Sequence, residues 1–172
     1  MIRLLIVDDE PSVLSALRRE LRGAFVDELS IHTCADPAQA LRLARDKPFD
    51  IVMSDLRMPE IDGLAFLSLV SAVAPASVRI VLTGSADFET AQRAINDAGV
   101  FRYLTKPWSQ ADLRNHLTAA IQCCRQAAAA AAHEQAMSAQ DLERRRLEAM
   151  EPGITAVEWG PAGEVLMPPL KP

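Results

Sequence analysis

Five side chains that could carry out chemistry stand at or just after the ends of short apolar runs. Asp8 and Asp9 follow the first run and Asp55 follows the third, while Thr83 ends the fourth and Lys106 follows the fifth. If these runs are parallel strands, their carboxyl ends meet at one edge of a sheet, where such sheets bind ligands. The spacing therefore predicts one site with three carboxylates, a hydroxyl and an ammonium.

The charges of this site indicate its chemistry. Three carboxylates held close together repel one another, and their pKa values rise unless a cation intervenes. Mg²⁺ meets this need, because it is a hard ion that prefers oxygen ligands and also neutralises charge on a phosphoryl group. A carboxylate beside it can act as a nucleophile and form an acyl phosphate. The residue types thus indicate Mg²⁺-assisted phosphoryl transfer to an aspartate.

The apolar runs alternate with segments of helical spacing from residue 1 to about 124. Several runs are apolar nearly throughout, which is typical of parallel strands covered on both faces. Pro11, preceded by Asp9 as a capping residue, opens the first helix, Asp36-Pro37 opens the second, and Gly99 closes the fourth. Five strands and five helices predict a three-layer α/β domain around a parallel sheet. The predicted strands are Leu4–Val7, Leu29–Cys34, Ile51–Ser54, Val78–Thr83 and Phe101–Thr105.

The character of the sequence changes after residue 124. The alanine run Ala127–Ala132 and the charged stretch Asp141–Glu148 have high helix propensity, so the fifth helix is expected to continue to about Met150. The segment after it has the pattern of two short strands around a loop. We therefore divide the chain into a domain over 1–124, a helical extension over 125–150 that could form a coiled coil, and a tail over 151–172 that could form a short β-hairpin.

Composition argues against several classes of protein. The net charge is −5 with no dense basic patch, which disfavours direct nucleic-acid binding. No apolar run approaches the roughly 18–20 residues of a membrane helix, and the first residues lack the pattern of a signal peptide. Cys34, Cys123 and Cys124 fit neither a disulfide framework nor a metal-ligand spacing. We expect a cytoplasmic protein that does not bind membranes.

Taken singly, each candidate residue has a plain structural explanation. Asp8-Asp9 could cap a helix, and Asp55 could be a turn residue. Lys106 could be a solvated surface lysine, and Thr83 an ordinary strand residue. The combination of all of them at successive strand ends is what favours a functional site.

Four sequence motifs, in order and in spacing, resemble those of the receiver domain of bacterial two-component response regulators, the CheY-like family. The resemblance covers residues 1 to about 122, and it is specific because all four motifs occur together. It implies a flavodoxin-like (βα)5 sandwich with parallel sheet order 2-1-3-4-5, followed here by an extended C-terminal helix. The motifs are Leu5-Ile-Val-Asp-Asp-Glu10, Met53-Ser-Asp-Leu-Arg-Met-Pro-Glu-Ile-Asp-Gly63, Val81-Leu-Thr-Gly84 and Tyr103-Leu-Thr-Lys-Pro107.

The resemblance implies a role for each residue of the site. Asp55 becomes the phosphoryl acceptor, with Asp9 as a direct Mg²⁺ ligand and Asp8 assisting through water. The backbone carbonyl of Arg57 would complete the protein ligands of the ion. Lys106, a compact point charge, would place its ammonium against a phosphoryl oxygen.

The same resemblance implies a conformational switch. Thr83 would move toward the phosphoryl group and donate its hydroxyl to it, and Tyr103 would turn inward into the space left behind. The surface of the fourth helix, fifth strand and fifth helix would then pass from one shape to another. The Lys106-Pro107 peptide bond is expected to be cis.

The implied function is signalling, without catalysis on a separate substrate. The phosphoryl donor would be a sensor histidine kinase or a phosphotransfer protein, and an unknown downstream protein would recognise the switched surface by direct contact. Two alternatives stay open at this point: a phosphate shuttle or sink in a phosphorelay, and a phosphatase with an aspartyl nucleophile. A homodimer is also expected, with a parallel seam of Leu113, Leu117, Ala120, Cys124 and Ala127.

Overall fold

A computed structural model of the chain describes residues 1–84 and 99–150, together with the strand residues 158–159 and 165–166. The predicted fourth helix lies outside these described residues. The chain divides into two compact units, Met1–Gln126 and Ala127–Pro172. The described elements are β1 (Ile2–Val7), α1 (Pro11–Ala24), β2 (Leu29–Cys34), α2 (Pro37–Asp46), β3 (Ile51–Asp55), α3 (Gly63–Val73), β4 (Val78–Gly84), β5 (Arg102–Lys106), α4 (Gln110–Met150), β6 (Glu158–Trp159) and β7 (Val165–Leu166).

The first unit is built on a five-stranded sheet in the order β2-β1-β3-β4-β5. Every neighbouring pair of strands in it is parallel. The predicted fold, a flavodoxin-like sandwich with a parallel sheet of order 2-1-3-4-5 and a long C-terminal helix, is confirmed. Because all five strands run parallel, the carboxyl ends of β1, β3, β4 and β5, which carry the candidate residues, share one edge of the sheet.

Side chains alternate along β1 between the two apolar cores of this unit. Leu4 and Ile6 pack with buried leucines of α1 and α4 on one face of the sheet. Leu5 and Val7 pack with α2 and α3 on the other face, where Phe66 is fully buried. Burying a leucine or phenylalanine side chain contributes about 1.5–3 kcal/mol, so two such cores hold the strand ends firmly in place.

Local sequence explains where two of the three helices before α4 begin. Asp36 caps α2 by accepting a 2.8 Å hydrogen bond from the backbone N–H of Ala38, and Asp62 caps α3 in the same way through Leu64. The expectation that Asp9 caps α1 is wrong. Glu10 occupies the cap position without a side-chain cap bond, and Pro11 is the first helical residue.

The seam expected for a parallel dimer is also wrong in its first half. Leu113, Leu117 and Ala120 are at most 2 % exposed, because they pack into the core of the first unit. These side chains are not available to a second copy.

In the second unit, α4 continues without interruption to Met150, and its apolar side chains are exposed, Met137 by 53 % and Leu142 by 71 %. Strands β6 and β7 pair in antiparallel fashion, with Trp159 opposite Val165. None of the described helices carries an apolar stretch long enough to cross a membrane.

A pair of glycines provides a test of how tightly the fold surrounds Asp55. Gly63 opens α3, and a Cβ there would collide with the backbone carbonyl oxygen of Asp55. We expect Gly63→Ala to lower the free energy of unfolding by about 2 kcal/mol or more, since backbone must shift to relieve the collision. Urea denaturation would measure this loss.

The matched control is Gly23→Ala near the end of α1, where a Cβ would meet no atom within 4 Å. This substitution should stabilise the fold by about 0.5 kcal/mol, because alanine favours a helix more than glycine does. Equal effects of the two substitutions would contradict the close packing of α3 against Asp55.

Candidate functional site

Strand register brings the candidate residues to one edge of the sheet. Val7, which ends β1, pairs with Ser54, so Asp8 and Asp55 follow neighbouring positions on adjacent strands. Asp55 in turn pairs with Leu82 of β4, and Gly84 at the end of β4 pairs with Lys106 at the end of β5. The predicted convergence of these strand ends is thus present.

The ammonium of Lys106 joins two of the predicted carboxylates. Its Nζ lies 2.7 Å from Oδ2 of Asp8 and 2.6 Å from Oδ1 of Asp55. The side chains of Asp8, Asp55 and Lys106 are 0 %, 8 % and 21 % exposed, respectively. Hydrogen bonds between charged groups at such distances are the strong ones, so the three side chains form one buried ionic cluster.

Backbone donors hold the outer oxygens of both carboxylates. Oδ1 of Asp8 accepts a 2.9 Å hydrogen bond from the N–H of Glu10, and Oδ2 of Asp55 accepts one of 2.9 Å from the N–H of Arg57. Each carboxylate is therefore fixed between a loop amide and the ammonium. Such support from surrounding groups holds a reactive side chain in one orientation.

One ammonium does not neutralise two buried carboxylates. Burial raises the pKa of Asp55 above its ordinary value, the hydrogen bond and charge of Lys106 offset only part of that rise, and the charge of Asp8 adds to it. Burial alone would lower the pKa of Lys106, but its hydrogen bonds to Asp55 and Asp8 outweigh burial, so its pKa is raised. The cluster consequently has an excess of negative charge and a firmly protonated lysine.

Asp9 stands beside this cluster at the rim of the sheet. It is half-buried and lines a shallow groove of about 300 Å³ together with Asp36, Arg42, Pro59 and Glu60. Glu60 has a φ of 69°, a left-handed conformation that is uncommon for a residue with a side chain. The groove thus exposes Asp9, whereas Asp8, Asp55 and Lys106 do not line it.

Thr83 and Tyr103 occupy the positions predicted for a switch pair. Thr83 is fully buried, and its hydroxyl donates a 3.1 Å hydrogen bond to the carbonyl of Gly84. Tyr103 pairs with Val81 across β4 and β5, and its half-buried ring packs against the core on the α2 and α3 side. The Lys106-Pro107 bond is cis, as expected.

Within the described residues, no group of three or more Asp, Glu, His or Cys side chains is arranged to hold a metal ion. Two of the predicted ligands, Asp8 and Asp55, instead share the ammonium of Lys106. Their chemistry nevertheless fits a hard divalent ion, since both are buried carboxylates with more negative charge than one lysine neutralises.

Two contacts near the site were not predicted from the sequence. One is the direct pairing of Lys106 with Asp8. The other is a 3.0 Å hydrogen bond from Nε1 of Trp108 to Oε2 of Glu20 on α1. The position of Trp108, two residues after the lysine, was the only sequence signal for the second contact.

Comparison with known proteins identifies the family. Residues 4–118 match the family model of the response regulator receiver domain. The chain belongs to the response regulator receiver family. Receiver domains of two-component systems accept phosphoryl groups on an aspartate, bind Mg²⁺ for that reaction and work with histidine kinases. The family acts mainly in signalling, and neither the phosphate shuttle nor the phosphatase is favoured.

The chain is similar to transcriptional regulatory proteins of several bacteria. It is 37 % identical over 142 residues to the hydrogenase transcriptional regulatory protein HoxA of Cupriavidus necator, covering 83 % of this chain and 27 % of HoxA. It is 32 % identical over 166 residues to the transcriptional regulatory protein KdpE of Mycobacterium tuberculosis, covering 93 % of this chain and 70 % of KdpE. The chain thus spans about a quarter of the length of HoxA and 70 % of that of KdpE.

A solved structure agrees with this assignment. The response regulator receiver domain protein from Clostridium thermocellum superposes with a TM-score of 0.64 at 27 % identity. The superposition covers 71 % of this chain and 95 % of that one. Nearly the whole of that isolated receiver is therefore matched by part of this chain.

The raised pKa of Asp55 predicts how the stability of the receiver depends on pH. A carboxyl whose pKa is higher in the folded than in the unfolded state stabilises the fold while protonated, and this contribution is lost as it ionises. In the unfolded chain the Asp55 carboxyl has the ordinary aspartate pKa of 3.8. In EDTA, Asp55→Asn should therefore gain stability relative to wild type as the pH rises above about 4 and Asp55 ionises.

Urea denaturation at several pH values would measure the difference. Asp46→Asn on α2 is the matched control, because the Asp46 side chain is 69 % exposed, and it should follow wild type throughout. A difference between Asp55→Asn and wild type that shrinks toward neutral pH would contradict the direction of the shift.

Proposed function

We propose that Asp55 is the phosphoryl acceptor of this receiver and that its donor is a sensor histidine kinase or a phosphotransfer protein. The observation that supports this is the shared ammonium of Lys106, 2.6 Å from Asp55 and 2.7 Å from Asp8. It places a positive charge beside the one carboxylate of the pair that retains some exposure. A phosphoryl group on Asp55 would then meet a cation already in position.

The transfer is a displacement at phosphorus. An oxygen of the Asp55 carboxylate forms the new P–O bond as the P–N bond of the donor phosphohistidine breaks, and the electron pair of that bond leaves with the imidazole. The product is an acyl phosphate. Because such transition states are loose, the receiver contributes mainly by positioning and charge neutralisation. The Arg57 N–H orients the carboxylate, and Lys106, with three donors, can contact a phosphoryl oxygen.

Four groups would hold Mg²⁺: the carboxylates of Asp8, Asp9 and Asp55 and the backbone carbonyl of Arg57. The ion supplies positive charge that neutralises the carboxylates and the phosphoryl oxygens. The burial of Asp8 supports this assignment. Because the Asp8 side chain is 0 % exposed, its charge needs a cationic partner at all times. If Lys106 turns toward a phosphoryl group, a second cation must remain at Asp8.

Thr83 and Tyr103 would couple the negative charge of a phosphoryl group on Asp55 to a conformational change of the receiver. The Thr83 hydroxyl now donates to Gly84, so it can exchange that carbonyl for a phosphoryl oxygen, which is the stronger acceptor. Tyr103 lies on the neighbouring strand and is half-buried, and its ring would turn inward as Thr83 moves. The switched surface would include β5 and the start of α4.

The rest of the chain would carry this signal outward. We assign residues 1–124 to the receiver, 125–150 to a helical extension and 151–172 to a tail. A downstream protein would bind the switched surface. A homodimer would form through the extension, where the apolar side chains of Met137 and Leu142 are exposed.

Covalent labelling tests the acceptor. Incubation with acetyl phosphate and Mg²⁺ should add the mass of one phosphoryl group to wild type and to the exposed control Asp46→Asn, and none to Asp55→Asn. Omitting Mg²⁺ in the presence of EDTA should abolish the gain. Labelling of Asp55→Asn to the wild-type level, read by intact-protein mass spectrometry, would refute the assignment.

The switch can be observed through Tyr103, because it is the one tyrosine in the sequence. In protein labelled with 3-fluorotyrosine, phosphorylation of wild type should shift the single ¹⁹F resonance. Thr83→Ala should still accept the phosphoryl group but lose the shift, since no hydroxyl at position 83 draws the end of β4 toward the acyl phosphate. Thr118→Ala on the exposed face of α4 is the control and should retain the shift. A full shift in Thr83→Ala would contradict the coupling.

A further inference from the structure

The backbone that carries Lys106 is held by the sheet on one side only. Strand β5 lies at the edge of the sheet, so β4 is its single neighbour. Lys106 is the last residue of β5 in the ladder and pairs with Gly84, the last residue of β4. Beyond this pair, none of the described strands pairs with the chain before α4 begins at Gln110. The position of the ammonium must depend on a second attachment.

Trp108 provides that attachment two residues later. Its indole N–H donates a 3.0 Å hydrogen bond to Oε2 of Glu20, and its ring packs against the core beside α1 and α4. Ser109 follows, and its hydroxyl accepts a 3.0 Å hydrogen bond from the N–H of Asp112 in the first turn of α4. The connection from Lys106 to α4 is therefore tied to α1 at its middle and to α4 at its end.

These contacts connect Lys106 to Asp8 by a second route, through Trp108 and α1. Asp8 precedes α1, and Glu20 on α1 accepts the hydrogen bond of the Trp108 indole. Trp108 lies two residues after Lys106, whose ammonium is 2.7 Å from the carboxylate of Asp8. A change at the Glu20–Trp108 contact would move the lysine relative to the carboxylates. The side chain of Leu104, buried on β5, fixes the strand before the lysine in the same way that Trp108 fixes the chain after it.

We propose that Glu20 and Trp108 are positioning residues, which hold the Lys106 ammonium where it can stabilise a phosphoryl group on Asp55. This inference rests on the proposed function of Asp55. Neither residue touches the reacting atoms. Their effect is on the orientation of Lys106, and a small displacement of a charged group lowers a rate without abolishing it.

The test separates loss of position from general loosening of the fold. The rate of phosphoryl uptake from acetyl phosphate at saturating Mg²⁺ and the Kd for Mg²⁺ by calorimetry would be measured for each variant. Glu20→Ala should lower the rate about three- to tenfold, the factor that corresponds to one hydrogen bond. Its Kd for Mg²⁺ should stay at the wild-type value, because the carboxylates that would bind the ion are untouched.

Two variants show that the hydrogen bond itself matters. Glu20→Gln keeps an oxygen acceptor for the indole N–H and should restore the wild-type rate. In a Trp108→Phe background, which keeps a ring but no donor, Glu20→Ala should have no further effect on the rate. Glu28→Ala is the matched control, because it removes a glutamate that binds Arg125 at 2.8 Å on the surface, and it should leave the rate unchanged.

The outcomes distinguish this inference from the function on which it rests. A wild-type rate in Glu20→Ala, an equal loss in Glu20→Gln, additive losses with Trp108→Phe, or a parallel loss of Mg²⁺ affinity would each overturn the positioning role. In all these cases the uptake by wild type would still support Asp55 as acceptor. No uptake by wild type would overturn both.

Discussion

One ammonium shared by two buried carboxylates is the interaction on which the rest of this structure depends. The ammonium of Lys106 approaches Asp8 to 2.7 Å and Asp55 to 2.6 Å, so both carboxylates share its single positive charge. Removing one partner of a buried ion pair costs about 3–5 kcal/mol, because the other charge is left without compensation. The cluster is therefore stable as a set, but its excess negative charge attracts a further cation.

The parallel sheet is what makes this cluster geometrically achievable. Asp8, Asp55 and Lys106 are far apart in sequence, and the order β2-β1-β3-β4-β5 brings the strands that precede them to one edge. Two apolar cores clamp the sheet from both faces, and Gly63 lets α3 start against the backbone of Asp55. Rigid elements of this kind hold reactive groups more precisely than loops do. The two apolar cores therefore fix the strands that position Asp8, Asp55 and Lys106 at the edge of the sheet.

Sequence reasoning found the site residues because each follows an apolar run, and strand ends must meet in a parallel sheet. It could not find partners chosen by side-chain geometry, such as Asp8 for Lys106 or Glu20 for Trp108, which are 98 and 88 positions apart. The pattern placed the start of α1 correctly at Pro11 but named Asp9 as its cap, whereas Glu10 takes that position. The strand order came from family resemblance, since periodicity defines strands but not their neighbours.

We propose that Lys106 can leave Asp8 for a phosphoryl group only if another cation stays with Asp8. A crystal structure of the protein with Mg²⁺ and beryllium trifluoride, which mimics a phosphoryl group, tests this most directly. We expect the mimic on Asp55, the Lys106 ammonium against one of its fluorines, and the metal ion in contact with the Asp8 carboxylate, directly or through water. A mimic bound at Asp55 while Lys106 still pairs with Asp8, with the metal elsewhere, would contradict it.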